Sequence, residues 1–241
     1  AIDPDLPSTG GAFKPIEVIT PPGSIVNPHF PAPVSNANIN TSQRIADVVL
    51  GALSKAMPER VPAASSGSMC LFTIGGINPR SGAYYSYVET YGGGQGAVCN
   101  QDGMDGVHTN MTNTRNTPVE VIEIAYPLRV DRYGLVPNTD GAGRFRGGLG
   151  LTRELTVLDH HAIINLSSDR LKIRPWGLAG GGAGGTVDSS LDLPAGEKVV
   201  LPSKTTRGVA PGTRINLRTA GGGGYGPPFL RDPQLVRDDV L

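Results

Sequence analysis

The sequence is poor in the groups that mark several common functions. Only two cysteines occur among 241 residues, Cys70 and Cys99. Their spacing fits no C-x-x-C metal or redox motif, and reduced, buried cysteines in a cytoplasmic protein are the expectation. Net charge is absent too, because 21 Lys and Arg balance 21 Asp and Glu. A chain without a basic field is not built to neutralise a phosphate backbone, which argues against a dedicated nucleic-acid binder. Long apolar runs are missing: Ile45 to Leu53 is interrupted and falls far below the roughly 20 residues that span a bilayer. No membrane partner is expected. The phosphate loop G-x-x-x-x-G-K-[ST], the zinc helix H-E-x-x-H and the nucleophile elbow G-x-S-x-G do not occur.

Glycine and proline are abundant instead, at 34 and 21 of 241 residues, roughly double their ordinary usage of about 7% and about 5%. These are the poorest helix formers. The expected fold class is α+β and β-dominated, with many short strands and Gly/Pro-rich loops. Residues 1–40 carry eight prolines, among them Pro4, Pro7, Pro28 and Pro33. They read as an extended arm, with short strands at Ile16 to Ile19 and Ser24 to Val26, draped on something larger. One clear helix follows near 41–57, capped by Thr41 or Ser42 and stopped by Pro58. Its stripe of Ile45, Val48, Val49, Ala52 and Leu53 should be buried, which predicts that Val49→Asp costs several kcal/mol. Strands are expected at Met69 to Ile74, Tyr84 to Tyr91, Val130 to Val136, Val199 to Leu201 and Arg214 to Leu217. Leu149 to Leu158 and Ile163 to Ser167 read as a hairpin pair, with His160 and His161 exposed at its turn. Val119 to Ile124 is either a strand or a helix start. Residues 41–226 form the body, and 227–241 a loosely attached tail. The chain opens on Ala1 rather than Met, so it is expected to be a fragment, a processed chain or a subunit.

The most unusual segment runs from Gly92 to Asn116. Loops of that length are functional or disordered. It holds Asp102, Asp105, His108, Asn113, Arg115 and Asn116. Histidine can act as acid, base or ligand near neutral pH. Asn and Arg suit the orientation of a carbonyl or carboxylate. Asp and Asn beside glycine are also ordinary turn formers. Glu120 and Glu123 follow Pro118 and could form an outer layer holding Arg115 or Asn116. No residues are spaced as metal ligands. The glycine runs at Gly141 to Gly148 and Gly221 to Gly224 lack the strand-before, helix-after context of a dinucleotide site and read as places of close backbone contact.

Five ordered runs resemble the hydantoinase B / 5-oxoprolinase family: His108 through Glu120, Gly141 through Gly150, Arg153-Glu154, Arg174 through Leu178, and Thr219 through Pro227. The early Pro28-x-x-Pro31-Ala32-Pro33-Val34 segment fits as well. The resemblance runs from about residue 10 to 227 and is to the C-terminal part of a B-type subunit. It implies an ATP-dependent cyclic-amide hydrolase that opens 5-oxoproline, hydantoin or lactam rings. It equally admits an ATP-dependent ketone carboxylase, and a non-catalytic scaffold subunit is the third reading. The resemblance places ATP and Mg on a hydantoinase A-like partner subunit, and a divalent metal, Zn or Mn, on the N-terminal half of the B-type subunit. His and Asp metal motifs of that half have no counterpart here. On this reading His108, Asp102 and Asp105 are the catalytic candidates, the two aspartates as proton carriers or loop formers. Asn113, Arg115 and Asn116 meet a small-molecule substrate, and the glycine runs pack against the missing half.

Overall fold

Side chains that alternate between inside and outside build most of the structure. The computed structural model describes residues 9–240; Pro4 and Pro7 of the arm lie outside that range. The strands are β1 (Leu71–Ile77), β2 (Tyr84–Thr90), β3 (Leu128–Val136), β4 (Gly150–Val157), β5 (Ala162–Ser167), β6 (Asp188–Asp192), β7 (Lys198–Val200), β8 (Lys204–Val209) and β9 (Arg214–Arg218). The helices are α1 (Ser42–Leu53), α2 (Val119–Ala125) and α3 (Pro233–Val240). The strands form two antiparallel sheets, in the orders β2-β1-β5-β8 and β3-β4-β9-β6-β7. The fold is therefore α+β and β-dominated. None of the helices described is long and apolar enough to cross a membrane.

The buried faces of both sheets supply one core. Phe72, Ile74, Tyr87, Ile164 and Leu166 come from the first sheet, and Leu128, Leu155, Val157, Ile215 and Leu217 from the second. On β2 the period of two turns Tyr85, Tyr87 and Glu89 inward. A carboxylate thus occupies an inward position.

Three features depart from the sequence expectation. First, β4 and β5 do not pair: β4 lies between β3 and β9, and β5 between β1 and β8. The turn at 158–161 crosses from one sheet to the other. His160 there is buried, with a ring nitrogen 2.6 Å from the Tyr85 hydroxyl, rather than exposed. Burial lowers its pKa below the usual histidine value. Alternation shows which faces are apolar but not which sheet a strand joins.

Second, α1 buries its polar side. Gln43 and Asp47 are inside, while Ile45, Val48 and Val49 are exposed, Val49 by 51%. Neither expected cap forms: Thr41 is helical and makes no side-chain cap, and Ser42 Oγ instead donates to the Asn38 carbonyl. Val49→Asp is accordingly expected to shift the chain's own unfolding free energy by no more than about 0.5 kcal/mol, as at other exposed sites, and urea denaturation reads this directly. Third, among the described residues the arm forms no strands, and an isolated bridge joins Ser24 and Asn27. Phe13, Val18, Ile25 and Phe30 stand exposed along it, Phe30 by 98%.

Candidate functional site

The polar loop is framed by glycines that pack on one another. The Gln95 carbonyl accepts from Gly148 N–H at 2.8 Å, Gly148 accepts from Gly222 at 2.8 Å, and Gly222 accepts from Gly141 at 2.8 Å. Gly94 N–H reaches the Ala220 carbonyl at 3.0 Å. A Cβ on Gly94 would lie 1.9 Å from the Gly148 oxygen, and one on Gly222 2.0 Å from that of Gln95. The glycine runs therefore close against each other inside this chain, where the sequence had suggested contact with a missing half. Their ladder seats the first half of the loop, which a bridge between Gly93 and Val107 folds back on itself.

Asp102 and Asp105 lie in that seated half and are saturated by arginine. Asp102 takes both Nη atoms of Arg231 at 2.8 Å, and the Arg146 N–H at 2.9 Å. Asp105 takes Arg146 Nη1 at 2.8 Å, Nη2 at 3.3 Å and the Leu149 N–H at 2.7 Å. Burial pushes both carboxyl pKa values up, but the arginines outweigh it and hold them below the usual carboxylate value. Such ionised, fully engaged groups suit the loop-forming role and not proton transfer. Asp102 also ties down the segment after residue 227, which carries α3 and bears Arg231. Asp102→Asn is expected to loosen this segment, which Arg146 still holds through Asp239 at 2.9 Å; limited proteolysis would detect the change. Because both pKa values are depressed, their stabilising effect is present above the unfolded value of about 3.9 and is lost as pH falls below it. Wild-type protein should release the segment in that acid window.

His108 begins the second half of the loop. It is half-buried, and its Nδ1 lies 3.1 Å from Thr112 Oγ1. Burial lowers its pKa below the usual histidine value, more than a backbone hydrogen bond with Thr90 raises it. Asn113 and Arg115 are exposed, and neither makes a side-chain hydrogen bond among the described residues. Asn116 is half-buried: its Nδ2 donates to the Thr90 carbonyl and its Oδ1 accepts from the Tyr133 hydroxyl, both at 2.9 Å. Glu120 is exposed. Glu123 accepts the Val130 N–H at 2.8 Å and so fixes the junction from α2 to β3. The two glutamates do not hold Asn116 as the sequence suggested, because Thr90 and Tyr133 do.

Two buried ion pairs beside the loop escaped sequence reasoning. Asp47 on α1 meets Arg170 at 2.5 Å and Arg44 at 2.9 Å. Arg170 also donates to the Ser65 and Ser66 carbonyls at 3.1 Å and lies over the Trp176 ring at 5.3 Å. Burial raises the Asp47 pKa and pushes that of Arg170 down to about 10. One turn earlier, Gln43 contacts the Thr109 carbonyl at 3.4 Å and accepts from Asn110 at 3.2 Å. The buried face of α1 thus braces the His108 turn. The second pair, Glu89 with Arg153, lies between the sheets at 3.6 Å. Glu89 was legible as a charge in an inward β2 position. Arg153 stood in a family-like run, and Asp47 gave no local signal. Among the described residues, no three His, Cys, Asp or Glu side chains are arranged to hold a metal ion.

The hydantoinase B/oxoprolinase family profile matches residues 1–228. An uncharacterised protein of Methanocaldococcus jannaschii is 46% identical over 99% of the chain, which covers 41% of that protein. The putative B component of a D-/L-hydantoinase from a Pseudomonas species is 37% identical, over 98% of this chain and 40% of the relative. Among solved structures, the ATP-dependent caprolactamase of Pseudomonas jessenii superposes with a TM-score of 0.78 at 27% identity, over 92% of this chain and 40% of that one. The chain spans about two fifths of the length of these proteins. With the family match covering nearly all of it, the chain belongs to the hydantoinase B/oxoprolinase family.

Proposed function

We propose that this chain is the C-terminal portion of the B-type subunit of an ATP-dependent cyclic-amide hydrolase. The observation that carries the reading is the similarity to the caprolactamase, a lactam-opening enzyme by its name, at 27% identity over 92% of the chain. The 37% identity to the B component of a hydantoinase supports it. In this reading the remainder of the B-type subunit covers the exposed apolar arm and the outer face of α1. ATP and Mg belong to a hydantoinase A-like partner, and a divalent Zn or Mn ion to the remainder of the B-type subunit. The setting is cytoplasmic, in keeping with two free cysteines.

The chain's own contribution is the outer half of the polar loop. Arg115, free of internal partners, orients a carboxylate or phosphorylated carbonyl oxygen through paired hydrogen bonds. Asn113 adds a neutral donor beside it. His108, whose pKa burial lowers, takes the proton released at the reacting centre. Asn116 holds the loop in place rather than touching substrate.

Substrate-dependent ATP hydrolysis by the full-length subunit assembled with its partner tests the reading. Addition of 5-oxoproline, hydantoin or caprolactam should release ADP and ring-opened product in equal amounts. ADP release that instead depends on a ketone and bicarbonate would overturn it in favour of a carboxylase. Activity that survives deletion of this chain from the assembly would make the chain a scaffold.

A further inference from the structure

We infer that the buried Glu89–Arg153 pair is a positioning device that holds the end of the polar loop, and with it Arg115, in working geometry. This rests on the reading of that loop as part of the substrate site. Glu89 comes from the inward face of β2, and Arg153 from β4, opposite Tyr133 on β3 and Leu217 on β9. Their side chains are 3% and 1% exposed. Both side chains also reach one residue of the loop. Glu89 Oε1 accepts the Thr117 N–H at 2.5 Å, and Arg153 Nη2 donates to the Thr117 carbonyl at 3.0 Å. Both backbone polar groups of one loop residue are thus gripped from opposite sheets.

The neighbouring residue is gripped as well. Asn116 spans the Thr90 carbonyl and the Tyr133 hydroxyl, and the Tyr133 ring lies over the Arg153 guanidinium at 4.4 Å. Thr117 precedes Pro118, the cap of α2. Residues 116 and 117 are therefore fixed on three strands, immediately after an arginine whose own side chain is free. Stability alone does not account for the arrangement. A buried ion pair gains little over a packed apolar pair, and the core around it is otherwise filled by Phe72, Ile74, Leu155 and Ile215. What a carboxylate and a guanidinium add is direction, an acceptor and a donor at fixed angles. Direction is what a site on a loop needs, since productive geometry tolerates only about 0.5 Å of error.

The test uses Arg153→Lys, which keeps the charge but cannot reach Thr117, Glu89 and the Tyr133 ring together. Tyr133→Phe is the milder companion, removing one hydroxyl from a half-exposed ring; should the lysine variant fail to fold, it carries the test. Both are made in the full-length subunit assembled with its partner, alongside Arg115→Lys. Exchange of the Thr117 amide, which Glu89 holds, should quicken about tenfold while β1 and β5 stay protected, as for a local opening. The kcat for the cyclic amide should fall on the order of 10–100-fold with the KM for ATP unchanged. Unchanged exchange at Thr117 would overturn the inference. So would a loosened loop with full turnover while Arg115→Lys loses turnover, which would leave the site reading standing. If Arg115→Lys also keeps full turnover, the site reading itself fails and takes the inference with it.

Discussion

Gly222→Ala is expected to destabilise the chain by about 3 kcal/mol or more, at the top of the range for overpacking. The added methyl would sit 2.0 Å from the Gln95 carbonyl oxygen. That obstacle is backbone, so no side chain can rotate away. Relief requires moving the 221–224 run off the loop, which breaks the 2.8 Å bonds from Gly222 to Gly148 and from Gly141 to Gly222. The matched control is Gly134→Ala on β3, where an added Cβ meets nothing within 4 Å; its change should stay within about 0.5 kcal/mol, as at surface sites. Thermal or urea unfolding of both variants reads the contrast. Equal stability would mean that the glycine ladder opens easily and does not seat the loop.

Arg170→Ala should cost about 3 kcal/mol, the lower end for stripping one partner from a buried pair. Asp47 would be left buried, with the 2.9 Å contact from Arg44 and a hydrogen bond from Asn110. Burial raises the pKa of Asp47, and burial together with the nearby Arg44 charge lowers that of Arg170 to about 10. The pair gives direction: Arg170 spans the Ser65 and Ser66 carbonyls while α1 carries Gln43 to the His108 turn. The double variant Asp47→Leu/Arg170→Met should recover most of the loss, since an apolar pair of similar volume is often neutral or better. A double variant as unstable as Arg170→Ala alone would place the loss in packing against Trp176 rather than in the orphaned charge.

Much of the sheet structure was legible before any coordinates, because β1 to β5 and β9 announce themselves by alternation or aromatic content. β6 and β8 were not. Asp188–Asp192 contains one leucine among polar residues and is a strand because β7 and β9 flank it. Lys204–Val209 is an edge strand whose side chains mostly face water. The apolar stripe of α1 was visible but pointed the wrong way, because the helix buries an ion pair whose other member lies 123 residues on. The candidate loop was legible as a segment, from its length and composition. Its supports were not: Arg231 reaches Asp102 across 129 residues and Arg153 reaches Thr117 across 36. Local pattern cannot reveal which distant arginine neutralises a given aspartate. It also could not separate the aspartates that arginines engage from the histidine and arginine that no ion pair engages among the described residues.

On the proposed function, the outer half of the loop serves chemistry rather than packing. Steady-state turnover of the assembled enzyme, measured for His108→Ala and Arg115→Lys beside thermal unfolding of the same proteins, tests it most directly. His108→Ala should lower kcat on the order of 10²–10⁴-fold, the range for a general acid or base, with little change in melting temperature. Arg115→Lys should lower turnover through loss of the paired donor geometry, again without a matching loss of stability. Normal turnover in both variants, or turnover that falls only in step with melting temperature, would contradict the account and make the loop a structural element.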